Sequence, residues 1–218
     1  MSNATLFAAS RARIVDLVKN SDPETPVPTC PGWSVKDLVA HLAVSLGAYV
    51  DRDMEGATSP SWGDNQVAAH RETSLQDCLA EWEQNAARAG DLFESPLGAI
   101  AMADVLAHEQ DIRTAIGQPG ERKGAGVGAS VEIALGFIEK KIAGTNLPPF
   151  RIVTDDVDRV VGEGPPAVTL STSTYELWRS MHGRRSRAQV RAMEWDGDPT
   201  PYLDVFFVFG PAEDDIEE

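Results

Sequence analysis

Basic residues are scarce in this chain. Nineteen Lys and Arg stand against 34 Asp and Glu among 218 residues, a formal net charge of −15, and a surface of that sign repels a phosphate backbone. Nucleic acid and anionic membranes are therefore not expected partners. Cysteine is scarcer still. Cys30 and Cys78 form no C-x-x-C pair and belong to no cysteine-rich framework, so nothing calls for an oxidising compartment. The chain also lacks any run of about 18 apolar residues, the length a membrane-crossing helix needs. Its opening stretch MSNATLFAASRARIVDLV has no basic head followed by a long apolar core, the pattern of a secretory signal. The expected location is the cytoplasm.

What is present is helical periodicity, followed by a change of character. Apolar residues recur at a spacing near 3.6 over about 5–19, 35–50, 74–89, 97–116 and 127–143, which predicts a helical bundle. Between the first two helices lies SDPETPVPTCPGW, whose four prolines exclude helix and force an extended crossing. The next helix opens at SVKD, where Ser34 can cap and Asp37 can reach back as a capping box. The segment EGATSPSWGDNQ reads as a second irregular connection. After about residue 147 come short β-branched runs, FRIVTDD, DRVVGEG and AVTLSTS, punctuated by turn residues. They predict three strands joined by hairpins, and TYELWRSMHG predicts a short helix ending at Gly183. The expected fold is α+β: a helical bundle over 1–147, a small α+β domain over 148–211, and an acidic tail over 212–218. That tail carries five carboxylates in seven residues and reads as solvated and disordered.

On the fourth of these helices, positions 97, 101, 104, 108, 111 and 115 step by four and three and share one stripe. They read Leu, Ala, Asp, His, Asp, Ala. The flanking Ile100, Val105, Ile112 and Ile116 are apolar, so the stripe faces the bundle. Burying a lone carboxylate costs several kcal/mol, so each acid requires a partner, a proton or a metal. On the helix opened by Ser34, His41 lies beside Leu38, Leu42 and Ser45 at the edge of the apolar face and can also point inward. One imidazole from one helix and a carboxylate–imidazole pair from another make three N/O ligands with a position left open. Spacing alone leaves a second possibility, a metal-free hydrogen-bonded network in the core.

Two stretches, VPTCPGWSVKDLVAHLA and DVLAHEQDIRTAIGQPG, resemble the signatures of the mycothiol-dependent maleylpyruvate isomerase family within the DinB-like metal-binding bundles. GRRSRAQVRAMEWDGDPTPYLDVF is similar to the C-terminal segment of actinobacterial members. The resemblance implies a DinB-like four-helix bundle holding a divalent metal, usually zinc, with His41, Asp104 and His108 as ligands. It also marks a departure, because Asp104 stands where the family usually has Glu. Asp111 and, less well placed, Glu109 are then candidates to accept the free N–H of a ligand histidine; the alternative for Asp111 is a pair with Arg113 or Arg184, and Glu109, which points off the stripe, reads rather as solvated. Cys30, in the entry loop before Pro31, reads as a small buried filler, the alternative being a thiol that approaches the site; Trp33 reads as a packing staple at the helix start, Trp82 as core, and His70 and His182 as surface residues. Arg184, Arg185, Arg187 and Arg191 form a basic patch in an acidic chain. Within it, Arg184 and Arg185 are candidates to receive an anionic thiol cofactor, the alternative being an interdomain salt-bridge cluster.

The implied function is a metal-dependent enzyme that uses mycothiol as cosubstrate against small electrophiles, as an S-transferase or a maleylpyruvate isomerase. The competing reading is a non-catalytic metal- or ligand-binding bundle, a sensor or interaction module. The expected partners are a small thiol and an electrophilic substrate, and the chain is expected to be a monomer or homodimer.

Overall fold

A computed structural model describes residues 1–57, 59 and 61–218. The polypeptide divides into two compact units, Met1–Gly120 and Glu121–Glu218. In the first, α1 (Asn3–Val18), α2 (Val35–Asp51), α4 (Leu75–Arg88) and α5 (Pro96–Ala115) form the bundle, with a short helix α3 (Trp62–Ala69) laid on α2. Their starts follow from local chemistry. Ser2, Ser34, Ser74 and Ser95 each accept a backbone N–H in the first turn, and Ser34 and Asp37 complete the reciprocal box at α2. Helix α3 falls inside the segment read from sequence as irregular, of which Thr58 and Pro60 lie outside the described residues. None of the described helices is long and apolar enough to cross a membrane.

Helix α5 is the axis of the first unit. It packs on α1 along one side and α2 along another, and every residue from Val105 to Ile112 is buried. Successive residues on a helix point about 100° apart, so a polar residue off the stripe of Asp104, His108 and Asp111 meets α1 instead of water. Glu109 does this, correcting its reading as a solvated side chain. It is fully buried, takes a bidentate bond from Arg13 at 2.7 Å, and accepts from Ser10 Oγ at 2.7 Å and Arg113 Nε at 3.0 Å. On the far side, α2 and α4 approach closely at Gly47. A Cβ there would lie 2.9 Å from Asn85 Nδ2, the amide that donates to the Ala43 carbonyl at 3.0 Å. Trp82 fills the core of this pair, fully buried.

The second unit begins with α6 (Ala125–Ala143), which packs against α7 (Thr174–Met181) and one strand of a four-stranded sheet. The division between units thus falls at Gly120, ahead of α6, where the sequence reading placed it at 147 and counted this helix with the bundle. The strands β1 (Phe150–Val153), β2 (Asp158–Val161), β3 (Val168–Ser171) and β4 (Glu194–Asp196) lie in the order β2-β1-β3-β4. β1 and β2 form the expected hairpin, whereas β1 and β3 pair parallel. β4 is an addition: its three residues carry one large apolar side chain, Trp195, too little for a period-two signal. A further short helix, α8 (Arg187–Arg191), is opened by a capping box between Ser186 and Gln189.

The acidic C-terminal segment is ordered against α7 and α8, contrary to the disorder expected from its composition. Ala212 N donates to the Arg185 carbonyl at 3.1 Å, and Gln189 exchanges hydrogen bonds with the backbone of Ile216 at 2.8 and 3.1 Å. Ser186 Oγ donates to Asp215. The Glu218 carboxylate is buried between Arg179, at 2.9 Å, and Arg185, at 2.8 Å, and Arg185 also grips Glu176 at 2.8 Å. Of the basic run, Arg185 holds this strap down, together with Arg179 of α7. His182 is also buried, its Nδ1–H donating to the Trp178 carbonyl at 3.0 Å, where the sequence reading had it at the surface.

Burial opposes the charge on Glu218, but the two guanidiniums outweigh it and hold its carboxyl below the ordinary range. A depressed carboxyl stabilises the folded state above its unfolded pKa and loses that contribution as pH falls through the folded value. The second unit is therefore expected to weaken as pH drops below about 4.5. Glu218→Gln, which keeps an acceptor oxygen but removes the charge, is expected to cost about 2 kcal/mol at neutral pH and to flatten that acid dependence. Chemical unfolding curves at pH 7 and pH 4 measure both.

Candidate metal centre

The centre forms where α2 faces α5. His41 and Ser45 are one turn apart on α2, and Asp104, His108 and Asp111 follow at steps of four and three on α5, so each set shares a face. Asp104 bridges the two imidazoles: its Oδ2 lies 3.8 Å from His41 Nε2 and its Oδ1 3.4 Å from His108 Nε2. One donor atom from each of the three lies within 4.8 Å of both others. Four ligands at about 2.1 Å around a tetrahedral cation sit roughly 3.4 Å from one another, so this donor set fits a divalent ion with small adjustment. Both histidines are buried, whereas the Asp104 side chain keeps 24% of its surface exposed, so the carboxylate side is open to solvent.

Each imidazole is held from behind. His108 Nδ1–H donates to Asp111 Oδ2 at 2.8 Å, and His41 Nδ1–H donates to Gln66 Oε1 at 2.9 Å. With Nδ1 carrying the proton, the neutral ring presents the Nε2 lone pair toward Asp104. The Asp111 carboxylate is fully buried, and its charge adds to the pull on His108. Burial lowers the pKa of His108, but the charge of Asp104 and hydrogen bonds to Asp104, Asp111 and Cys30 together raise it well above the usual imidazole value. In this geometry a proton on Nε2 occupies the place a cation takes.

Several neighbours differ from their sequence reading. Of the two readings of Cys30 the structure has the thiol at the site: it lies 3.6 Å from Asp111 Oδ2, and Cys30, His108 and Asp111 form a second group of close donor atoms. Trp33, read as a staple, is half-exposed beside the imidazoles, with its ring centre 5.1 Å from that of His41 and 6.5 Å from that of His108. Helix α3 brings three residues the sequence did not single out: Gln66, Trp62, whose ring stands edge-on to His41, and Gly63. Tyr49 on α2 is buried against Trp62. Burial, reinforced by the charge of Asp104, pushes its phenol upward, so it stays a neutral hydroxyl. The one sequence signal for α3 is Ser61-x-x-Asp64, a capping-box spacing. In the fold Ser61 forms no side-chain cap, and Asp64 Oδ1 instead accepts the Trp33 indole N–H at 2.9 Å.

Arg184 and Arg185 lie in the second unit. Arg185 is buried and already spans Glu176 and Glu218, which uses its guanidinium as a clasp. Arg184 is half-buried and donates to the His182 carbonyl at 2.7 Å.

A four-helix bundle that brings donor atoms of two imidazoles and a carboxylate within 4.8 Å of one another, each ring fixed by a second acceptor, belongs to the class of helical bundles able to hold a divalent cation. The particular family is given by comparison. Residues 5–113 match the profile described as the mycothiol maleylpyruvate isomerase N-terminal domain, and the chain belongs to that family, which places it among enzymes of that kind. Two solved structures have a similar fold. One is a histidine-to-alanine mutant of the mycothiol-dependent maleylpyruvate isomerase, with TM-score 0.60, 14% identity, 83% of this chain covered and 88% of that one. The other is the mycothiol-dependent maleylpyruvate isomerase itself, with TM-score 0.52, 14% identity, and coverage of 84% and 88%. No match was found among curated proteins.

Proposed function

We propose that this protein is a metal-dependent enzyme that uses a low-molecular-weight thiol, mycothiol by family, against small electrophiles. The observation that carries the reading is the convergence of His41 Nε2, Asp104 Oδ and His108 Nε2 within 4.8 Å of one another, at separations that suit a single cation. Family membership and the two structural neighbours support the choice of thiol. Zinc is the expected metal, since two imidazoles and a carboxylate are borderline ligands in a four-coordinate arrangement.

A divalent metal held by these residues would act as a Lewis acid that lowers the proton affinity of a thiol sulfur at the remaining position. The chain sets the conditions for this. Two neutral imidazoles and one carboxylate leave a bound dication under-neutralised, which favours an anionic sulfur over a neutral ligand. Asp104 stands on the solvent side, so a thiol approaches past it, while the indole rings of Trp33 and Trp62 flank His41. The sulfur then adds to an electron-poor double bond. Isomerisation follows if the new single bond rotates and the sulfur leaves with its electron pair. S-transfer follows if the neighbouring carbon takes up the proton and the adduct departs. The clasp role of Arg185 counts against its also receiving the thiol.

Metal-loaded protein incubated with mycothiol and a panel of electrophiles, maleylpyruvate included, is expected to give adduct or cis–trans conversion well above the uncatalysed rate. Fully loaded protein that leaves every member of the panel at that rate would overturn the enzymatic reading in favour of a binding module.

A further inference from the structure

We propose that Gln66 is a positioning residue of the metal centre, fixing the ring orientation and tautomer of His41 from helix α3; the inference rests on the metal reading above. The Gln66 side chain is 9% exposed, and its Oε1 accepts from His41 Nδ1–H at 2.9 Å and from Ser45 Oγ at 3.1 Å. An imidazole that can rotate and exchange tautomers offers its lone pair in the wrong direction part of the time. An acceptor fixed on Nδ1 removes those states. Because a carboxamide oxygen only accepts, Nδ1 must carry the hydrogen and Nε2 the lone pair.

Helix α3 is built to hold that oxygen in place. Eight residues are too few for a helix to persist alone in water, so its position comes from its contacts. Gly63 lets the helix lie directly on the site: a Cβ there would fall 3.0 Å from Trp33 Cη2 and 3.6 Å from His41 Nδ1. One residue on either side, the Trp62 ring packs perpendicular to His41 and Asp64 holds the Trp33 indole. The two histidines are therefore held by unlike acceptors, His108 by the Asp111 carboxylate and His41 by a neutral amide. Only the first adds negative charge around the cation; a second carboxylate in place of Gln66 would add another, so the neutral amide leaves more of the positive charge to attract a thiolate.

The test uses the full chain and measures zinc affinity by competition with a chromogenic chelator, together with the visible absorption of the cobalt(II)-substituted protein. Gln66→Met has the same length and no strong acceptor, and is expected to weaken zinc binding about 10–100-fold and to alter the cobalt spectrum. Gln66→Glu restores the acceptor and is expected to bind at least as tightly as wild type. Gln66→Asn, which withdraws the amide by one methylene, is expected to weaken binding like Gln66→Met and serves if that variant fails to fold. Wild-type affinity and spectrum in Gln66→Met or, where that variant does not fold, in Gln66→Asn would mean that Gln66 only packs, and would overturn this inference while leaving the metal reading intact. Wild-type protein that takes up no metal would end both.

Discussion

The protein is expected to carry about one divalent ion per chain, and replacing His41 or His108 by alanine is expected to strip it. The size of the effect follows from the donor set. Structural zinc sites with four ligands hold their ion with roughly 10–16 kcal/mol, so one ligand accounts for about 3 kcal/mol and its loss weakens binding by some two powers of ten. With only three protein ligands here, that loss carries the affinity below what survives purification. The His41 variant leaves Asp104 and His108 together on α5, and the His108 variant removes the imidazole that lies 3.4 Å from the Asp104 carboxylate. Both variants are expected to fall to background in elemental analysis of protein made without chelator or nickel resin. Metal content equal to wild type in either one refutes the assignment. The pH dependence has a definite sign. His108 is held protonated to unusually high pH by Asp104, its hydrogen bonds to Asp111 and Cys30 adding to the effect, and a cation at Nε2 must displace that proton. Affinity therefore rises with pH and falls in acid.

The stripe that carries this prediction was legible before any coordinates, because the helical repeat alone puts positions 104, 108 and 111 on one face. His41 was placed by the apolar run around it and by the Ser34–Asp37 box that fixes where α2 begins. Gln66 was not legible. It arrives on a helix of eight residues in a segment rich in Gly, Ser and Pro, and its role depends on a tertiary approach that no local pattern encodes. Cys30 and Trp33 were hard to place for a related reason: they sit in the proline-rich crossing, which is free of helix as its prolines require but runs through successive turns instead of the expected extended course, and whose target is set by α2 and α5. The C-terminal strap shows the same limit for charge. Composition gave five carboxylates in seven residues, which in isolation favours a solvated tail. The buried Arg179 and Arg185 turn one of those carboxylates into a structural partner.

Glu109 is the sharpest case of that kind, and its replacement carries the largest expected loss of stability. Its carboxylate is completely buried and joins α5 to α1 through Arg13 and Ser10, with Arg113 of its own helix as a further partner. Glu109→Leu keeps the volume roughly constant and leaves Arg113, Arg13 and the buried Ser10 hydroxyl short of the charge they surround. Removing one member of a buried ion pair costs about 3–5 kcal/mol. Arg13 keeps 31% of its side chain in solvent and can turn outward, so the lower part of that range applies. In a chain of this size each kcal/mol shifts the midpoint by about 2–4 °C, so the thermal transition of the first unit is expected to fall by about 6–15 °C. Metal binding by the folded protein is expected to survive. His108 and Glu109 are sequence neighbours, but the helical step turns one toward α2 and the other toward α1, so the carboxylate that fastens the scaffold touches none of the three ligands. Glu109→Leu that melts like wild type, or that loses its metal while still folded, would contradict this separation of the side that holds the bundle from the side that holds the ion.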